Sequence, residues 1–283
     1  MARGSEAMTR AGFPAIAPGS VWLVGAGPGD PGLLTLHAVH ALEQADVILH
    51  DALVAPEILT LCGPAARLEA VGKRAGRKSP RQLEINQRLI ELARQSLRVV
   101  RLKGGDPMVF GRGGEEALAL AAAGVPFRIV PGVTAGYGAL AYAGIPATHR
   151  GRAQSVAFVT GHHAGGGDAR DVDWAALARG AHTLVLYMAA QRMPMIAEAL
   201  LAAGRDPGDP VAILCDATTP RQRLLRTTLA EAVTVAAGVD RSSATLIAIG
   251  PVVALGDLLA PWLEATPATP SPVGQEQLLA LQG

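Results

Sequence analysis

Gly104–Glu116 reads GGDPMVFGRGGEE, and this stretch decides how the rest of the chain is laid out. A strand-like run, Arg98-Val-Val-Arg-Leu-Lys103, precedes it, and an Ala/Leu-rich helical pattern follows. Five glycines, one proline and four charged residues in so short a space cannot form a packed element. The stretch is therefore a strand-to-helix turn, and in α/β sheets ligands bind at the carboxyl ends of strands. Gly104 and Gly105 carry no Cβ, so backbone can approach a ligand closely there. Asp106 precedes Pro107 and is pushed away from helical geometry, which sets its carboxylate on a bend. Arg112 and Glu115 bracket Gly113-Gly114 and offer a guanidinium fork and a carboxylate beside one turn. A plain polar loop would rarely combine these features.

Working outward, strands and helices alternate. Ser20–Gly25 (SVWLVG) reads as a buried strand, followed by the loop GAGPGDPG and a helix over Leu33–Gln44. Asp46–His50 is a second strand delivering Asp51 at its carboxyl end, and Arg67–Val71 is a third. Six bases against one acid lie between Arg67 and Arg81, ahead of a helix with Ser79 as N-cap and Ile85, Leu89 and Leu92 on one face. After the central turn come a strand at Phe127–Val130, the turn PGVTA at 131–135 and a small-residue helix. A second half has strands at Ser155–Thr160, His182–Met188, Pro210–Leu214, Arg223–Thr227 and Thr245–Ile249, with Asp173 capping a helix and another over Pro194–Ala203. This pattern predicts two α/β domains with mostly parallel sheets, although Arg223–Thr227 and the strand after it hint at an antiparallel portion. The expected division is an unstructured leader over 1–19, domains over 20–150 and 151–264, and a loose Pro- and Gln-rich tail over 265–283.

Composition narrows the function. At 283 residues, 49% apolar, 17% charged and a net charge of +1, the chain reads as a globular protein with a substantial core, not a nucleic-acid binder. Cys62 and Cys215 show no ligand-like spacing and read as buried thiols of a reducing compartment. There is no basic start followed by an apolar core, and no apolar run of about 18 residues, so the expectation is a cytoplasmic protein without a membrane span. His162-His163 would point to opposite faces of an extended chain, and no metal is expected.

The first loop, GAGPGD, invites a dinucleotide-binding reading, with Asp51 where a ribose-binding acid would fall. Two features oppose it. Asp30 replaces the third glycine and sets a carboxylate where pyrophosphate would meet a helix N-terminus. Pro28 and Pro31 also remove N–H donors. A nicotinamide-dependent oxidoreductase is the alternative enzyme class, and a non-catalytic carrier using the basic segment is a third reading.

The motifs together resemble the uroporphyrinogen-III C-methyltransferases, within the tetrapyrrole (class III) methyltransferases. They are VGAGPGDPGLLTL at 24–36, DALV at 51–54, KGGDPMVFGRGGEE at 103–116, PGVTA at 131–135 and TTPRQR at 218–223. The resemblance implies a dimer of two-domain subunits, with S-adenosylmethionine folded in the cleft between the domains. By position it puts cofactor contacts on Pro28, Gly104, Gly105, Asp106, Val109, Thr134, Ala135, Met188 and Ala217. It makes Asp51 the proton acceptor and Lys73 the donor, and sets Arg112, Glu115 and Arg150 near the tetrapyrrole. His50 and Ala217 stand where the family often has tyrosine and glycine, and Gly165-Gly166-Gly167 resembles a small loop extension. The implied substrate, uroporphyrinogen III, carries eight carboxylates and suits a cationic cleft lined by arginines. The proton lost after methyl transfer could go to Asp51, as the resemblance has it, or to Glu115 or Arg112 by position. Arginine, with a pKa above about 12, is the poorest base of the three. Met188, at a strand end, would otherwise read as core. The chain also reads as too short to carry a dehydrogenase–chelatase domain ahead of Ser20.

Overall fold

The structure, a computed structural model, describes residues 12–72, 82–161 and 172–263. The chain forms two compact units, residues 1–135 and 136–283, so the division falls earlier than the expected boundary after 150.

In the first unit the strands are β1 (Val21–Gly25), β2 (Val47–His50), β3 (Arg67–Ala70), β4 (Val99–Lys103) and β5 (Phe127–Val130). They form one sheet in the order β3-β2-β4-β1-β5, every pairing parallel. The helices are α1 (Leu36–Gln44), α2 (Pro56–Leu59), α3 (Gln82–Arg94) and α4 (Gly113–Ala122). Alternation along the strands divides the core between two faces. Trp22, Val24, Ile48, Val100 and Leu102 pack with Ala38, Ala41, Leu42 and Ile58 from α1 and α2. Val21, Leu23, Val47, Leu49 and Val99 pack on the other face with Ile85, Leu89, Leu92 and Leu120 from α3 and α4. Each such side chain, fully buried, stabilises the fold by about 1.5–3 kcal/mol relative to exposure.

Two expectations are corrected here. Part of the expected leader is packed: Ile16 is buried with its N–H donating to Gln44, and the Phe13 ring lies 4.7 Å from that of His37. The helix expected over Leu33–Gln44 is broken. A 3-10 turn at Pro31–Leu33, with Asp30 accepting the Gly32 N–H, precedes α1, whose Thr35 cap accepts the Ala38 N–H. No helix therefore begins at the glycine loop.

In the second unit α5 (Ala135–Tyr142), which starts at the division, α6 (Trp174–Gly180), α7 (Met193–Ala202), α8 (Ala232–Ala237) and α9 (Leu255–Leu263) flank a sheet. Its strands are β6 (Val156–Thr160), β7 (Thr183–Tyr187), β8 (Pro210–Cys215), β9 (Arg223–Thr228) and β10 (Thr245–Ile249), ordered β6-β7-β10-β8-β9. Only β6–β7 is parallel, and the other pairings are antiparallel. The α/β class and the parallel first sheet match expectation, whereas this second sheet is mixed and mostly antiparallel. β8 and β9 connect directly as neighbours, which needs no helical crossover. Leu184, Leu186, Val211, Ile213, Ile247 and Ile249 line the face under α6, α7 and α8, and Val185, Ala212, Leu214, Leu246 and Ala248 the face under α5. Among the described residues no helix is long and apolar enough to cross a membrane.

Candidate active site

The carboxyl ends of β1, β4 and β5 are joined backbone to backbone. Gly27 and Gly105 exchange hydrogen bonds, Gly27 N–H to Gly105 O at 3.1 Å and Gly105 N–H to Gly27 O at 2.7 Å. A Cβ on Gly25 would lie 2.6 Å from Gly132 backbone and 2.7 Å from Gly105 O, and one on Gly132 would lie 2.4 Å from Gly105 O, so Gly25 and Gly132 exclude side chains, while the left-handed backbone of Gly105 (φ 68°) favours glycine. Gly27 and Gly105 thus pack loop to loop, a role beyond the close approach to a ligand expected of Gly104 and Gly105. Asp106 reinforces the seam: its Oδ1 accepts the Met108 N–H at 2.8 Å and its Oδ2 the Gly132 N–H at 2.9 Å. A phosphate cradle needs free N–H groups at a helix start. Here the Gly27 and Gly105 N–H groups are spent on each other and α1 begins only at Leu36.

Beyond the seam the chain turns into α4. Phe110 and Arg112 both adopt left-handed backbone (φ 51° and 60°), which costs a non-glycine residue on the order of 1–2 kcal/mol and marks a constrained turn. Arg112, the N-cap, grips Glu115 with Nε to Oε1 at 2.9 Å and Nη2 to Oε2 at 2.6 Å. Both side chains are about half exposed, at 49% and 50%. The guanidinium holds the Glu115 carboxyl below the usual carboxylate range.

The next residue, Glu116, points into the protein and is 0% exposed. Its Oε1 accepts from Arg101 Nε at 3.0 Å, Lys103 Nζ at 3.0 Å and Gln82 Nε2 at 3.1 Å. Arg101 and Lys103 lie two apart on β4, so both face α4. Burial, and then the charge of Arg101, push the Lys103 ammonium below its usual range, with Glu116 opposing. Arg101 extends Nη2 to Asp51 Oδ1 at 2.5 Å, and its Nη1 to the carbonyls of Leu49 and Leu102 at 3.4 and 3.3 Å. Asp51 follows β2 directly, and its side chain is 28% exposed. The expected acid therefore sits at a strand end, bound to an arginine that sequence reasoning treated only as part of a strand. The available hint was two cations at alternate positions of a strand central enough to be buried, which require an internal acid.

Lys73, the expected proton donor, lies outside the described residues, as do Arg74, Arg77, Lys78 and the pair His162-His163. The last described residue before it, Gly72, packs so closely on Ala52 that a Cβ would clash. Pro28 is half-buried on the first loop, and Gly104, Val109, Thr134 and Ala135 occupy the turns after β4 and β5.

The second unit holds the remaining positions. Met188 follows β7 with left-handed backbone (φ 52°) and 51% exposure, so it is not core. The preceding Tyr187 accepts the Gly136 N–H on its hydroxyl at 2.6 Å, tying the strand end to the start of α5. Ala217 lies between Asp216 and Thr218, both left-handed (φ 47° and 63°). Asp216 accepts the Ser243 hydroxyl at 3.0 Å and the Ala244 N–H at 3.1 Å, and Gln222 Oε1 accepts the Thr218 N–H at 2.7 Å. Arg150 is exposed on a tight turn closed by the His149–Ala153 bridge. Among the described residues no group of three or more His, Cys, Asp or Glu could hold a metal ion.

The first unit is thus an α/β domain whose first glycine loop lacks the free N–H groups and helix start of the dinucleotide-binding class. Residues 20–233 match the tetrapyrrole (corrin/porphyrin) methylases. The chain belongs to that family. It is 56% identical over 245 residues to a uroporphyrinogen-III C-methyltransferase of a Sinorhizobium species, covering 87% of this chain and 88% of the relative. Siroheme synthase 1 of Yersinia enterocolitica is 53% identical over 89% of this chain, but the match covers 52% of that relative. The chain thus spans about half the length of the siroheme synthases it matches. Among solved structures, a uroporphyrin-III C-methyltransferase of Thermus thermophilus complexed with S-adenyl homocysteine superposes with a TM-score of 0.72 at 44% identity, covering 83% of this chain and 99% of that one.

Proposed function

We propose that this chain is an S-adenosylmethionine-dependent C-methyltransferase that converts uroporphyrinogen III through precorrin-1 to precorrin-2, by sequential methylation at C2 and C7. The observation that carries the reading is the 56% identity to a relative of that activity along 87% of this chain and 88% of the other. The local chemistry fits the cofactor. Pro28, Gly104, Gly105, Val109, Ala135 and Ala217 are small or apolar, Met188 is exposed at a strand end, and the first loop suits a ligand without phosphates. Those residues, with Asp106 and Thr134, would hold S-adenosylmethionine, which when bound supplies an electrophilic sulfonium methyl.

The chain's own groups then divide the work. Arg112 and Arg150 bind carboxylates of the macrocycle, and Glu115 keeps the Arg112 fork oriented through two parallel hydrogen bonds. After methyl transfer to a substituted pyrrole carbon, the macrocycle is one charge more positive and must lose a proton from another of its atoms. We assign it to Asp51 Oδ2, since Oδ1 is taken by Arg101, with Lys73 as the matching donor. The same reading makes the working form a homodimer in the cytoplasm. A nicotinamide-dependent oxidoreductase is not favoured, because the Gly27 and Gly105 N–H groups that pyrophosphate would need are already used.

The test has two parts. Calorimetry should show S-adenosylhomocysteine binding and no NAD binding. Single-turnover mixing with uroporphyrinogen III in excess and the methyl donor limiting should accumulate a monomethylated product, which a second addition converts to the dimethylated one. Binding of NAD alone, or no methylated product, overturns the reading.

A further inference from the structure

The buried ionic set behind Asp51 has a form that stability alone does not explain. Arg101, Lys103 and Glu116 are all buried, on the sheet face covered by α3 and α4. Removing such charges from water costs several kcal/mol per ion, and well-packed apolar residues commonly do as well or better for stability. The set is also lopsided. Oε1 of Glu116 accepts three donors, while Oε2 is buried and has no partner among the described residues. Arg101 is engaged at every nitrogen: Nε on Glu116, Nη1 on two backbone carbonyls, Nη2 on Asp51. A guanidinium pinned on three sides is a rigid fork, and its Nη2 meets the Asp51 carboxylate at the exposed edge of the set.

Glu116 itself stands in the first turn of α4, the turn that carries Arg112 and Glu115. One helix turn therefore presents two groups outward and, through the next residue, reaches back to Asp51. We propose that Glu116 is a positioning residue: acting through Arg101, it fixes where the Asp51 carboxylate sits relative to Arg112 and Glu115. The inference rests on the assignment of Asp51 as proton acceptor above. Asp51 faces Arg101 from β4, and Glu116 faces Arg101, Lys103 and Gln82. With Asp51 and Glu116 as carboxylates the four ions balance, two positive and two negative, and Glu116→Gln leaves a cation in excess next to Asp51.

The experiment is a double-mutant cycle between Glu116→Gln and Asp51→Asn, read as the rate of methyl transfer with enzyme in excess and, in parallel, as S-adenosylhomocysteine affinity. Glu116→Gln keeps the shape and an acceptor oxygen, and is expected to lower the rate about 10–100-fold, the scale of a displaced reacting group, with cofactor affinity within about twofold of wild type. In the Asp51→Asn background the same change should lower the rate by less than about twofold, because the group it positions is gone. Equal factors in both backgrounds, or an unchanged rate for Glu116→Gln, overturn the proposal. If Asp51→Asn alone keeps the wild-type rate, the assignment of Asp51 fails, and that is a distinct result. Should Glu116→Gln not fold, as near-ultraviolet circular dichroism would report, Arg101→Lys replaces it in the same cycle under the same criteria, since it keeps the charge and loses the fork.

Discussion

Glu115 and Glu116 stand side by side in the first turn of α4, and both accept from arginine, yet they belong to different physical regimes. Glu115 is half exposed and pairs with Arg112 three residues before it. Glu116 is fully buried and gathers donors from β4 and α3. An exposed pair gains little in high dielectric and gives up side-chain freedom, so it is worth a few tenths to about 1 kcal/mol. A buried set is expensive to assemble and more expensive to break, because a lost partner strands a charge away from water. The outward pair is free to exchange its partner for a substrate carboxylate, whereas the inward set can only hold something still.

The largest effect separates the two. Glu116→Ala should destabilise the protein by about 3–5 kcal/mol in urea unfolding, since Arg101 and Lys103 are left facing each other. A loss below about 1 kcal/mol would break the contrast between the two glutamates.

Replacing the whole set sharpens it. The triple variant Arg101→Met, Lys103→Met, Glu116→Leu should recover most of that loss, within about 2 kcal/mol of wild type, because no charge is stranded. Its methyl transfer should remain impaired, which would show that the charges serve position over stability. Recovery of turnover along with stability would sink that view.

The smallest effect concerns the exposed pair. Arg112→Ala should change stability by no more than about 1 kcal/mol at neutral pH, while turnover falls by about 100-fold. The Glu115 carboxyl is lowered by Arg112, so the stability it contributes is present above its unfolded pKa and is lost as pH falls through the lower folded value. The small difference between wild type and Arg112→Ala should therefore close on acidification below the usual carboxylate range, about 4.3 for glutamate. Urea midpoints measured across that range check it, and a difference that grows with acid would contradict the sign.

Much of the first unit was legible because local rules and tertiary structure agree there. Short apolar strands and the Gly/Asp-Pro turn each announce themselves within a dozen residues, and the parallel sheet follows from the alternation of strands and helices. The second sheet was less legible, because strand–helix alternation does not say which way a strand runs when two strands follow directly, as β8 and β9 do. The site divided in the same way. Arg112 and Glu115 stand out as polar residues in a glycine setting, and Asp51 as the acid at the end of a strand. Glu116 looked like one more helix-start acid, and its burial depends on Arg101 across a separation no local pattern encodes. The glycines were legible, but their packing on one another was not. A residue without a side chain says that something comes close, not whether the neighbour is a ligand or, as at Gly27 and Gly105, another loop.

That seam has a consequence for how such a site can diversify. With Gly25 and Gly132 packed on each other and on the Gly105 carbonyl, a methyl group added at either displaces at least one of the other two loops. The three loops inherit change together or not at all. Variation in what this end of the unit accepts is channelled to the exposed side chains around it, Leu53, Met108 and Phe110, which can be exchanged without disturbing the joint.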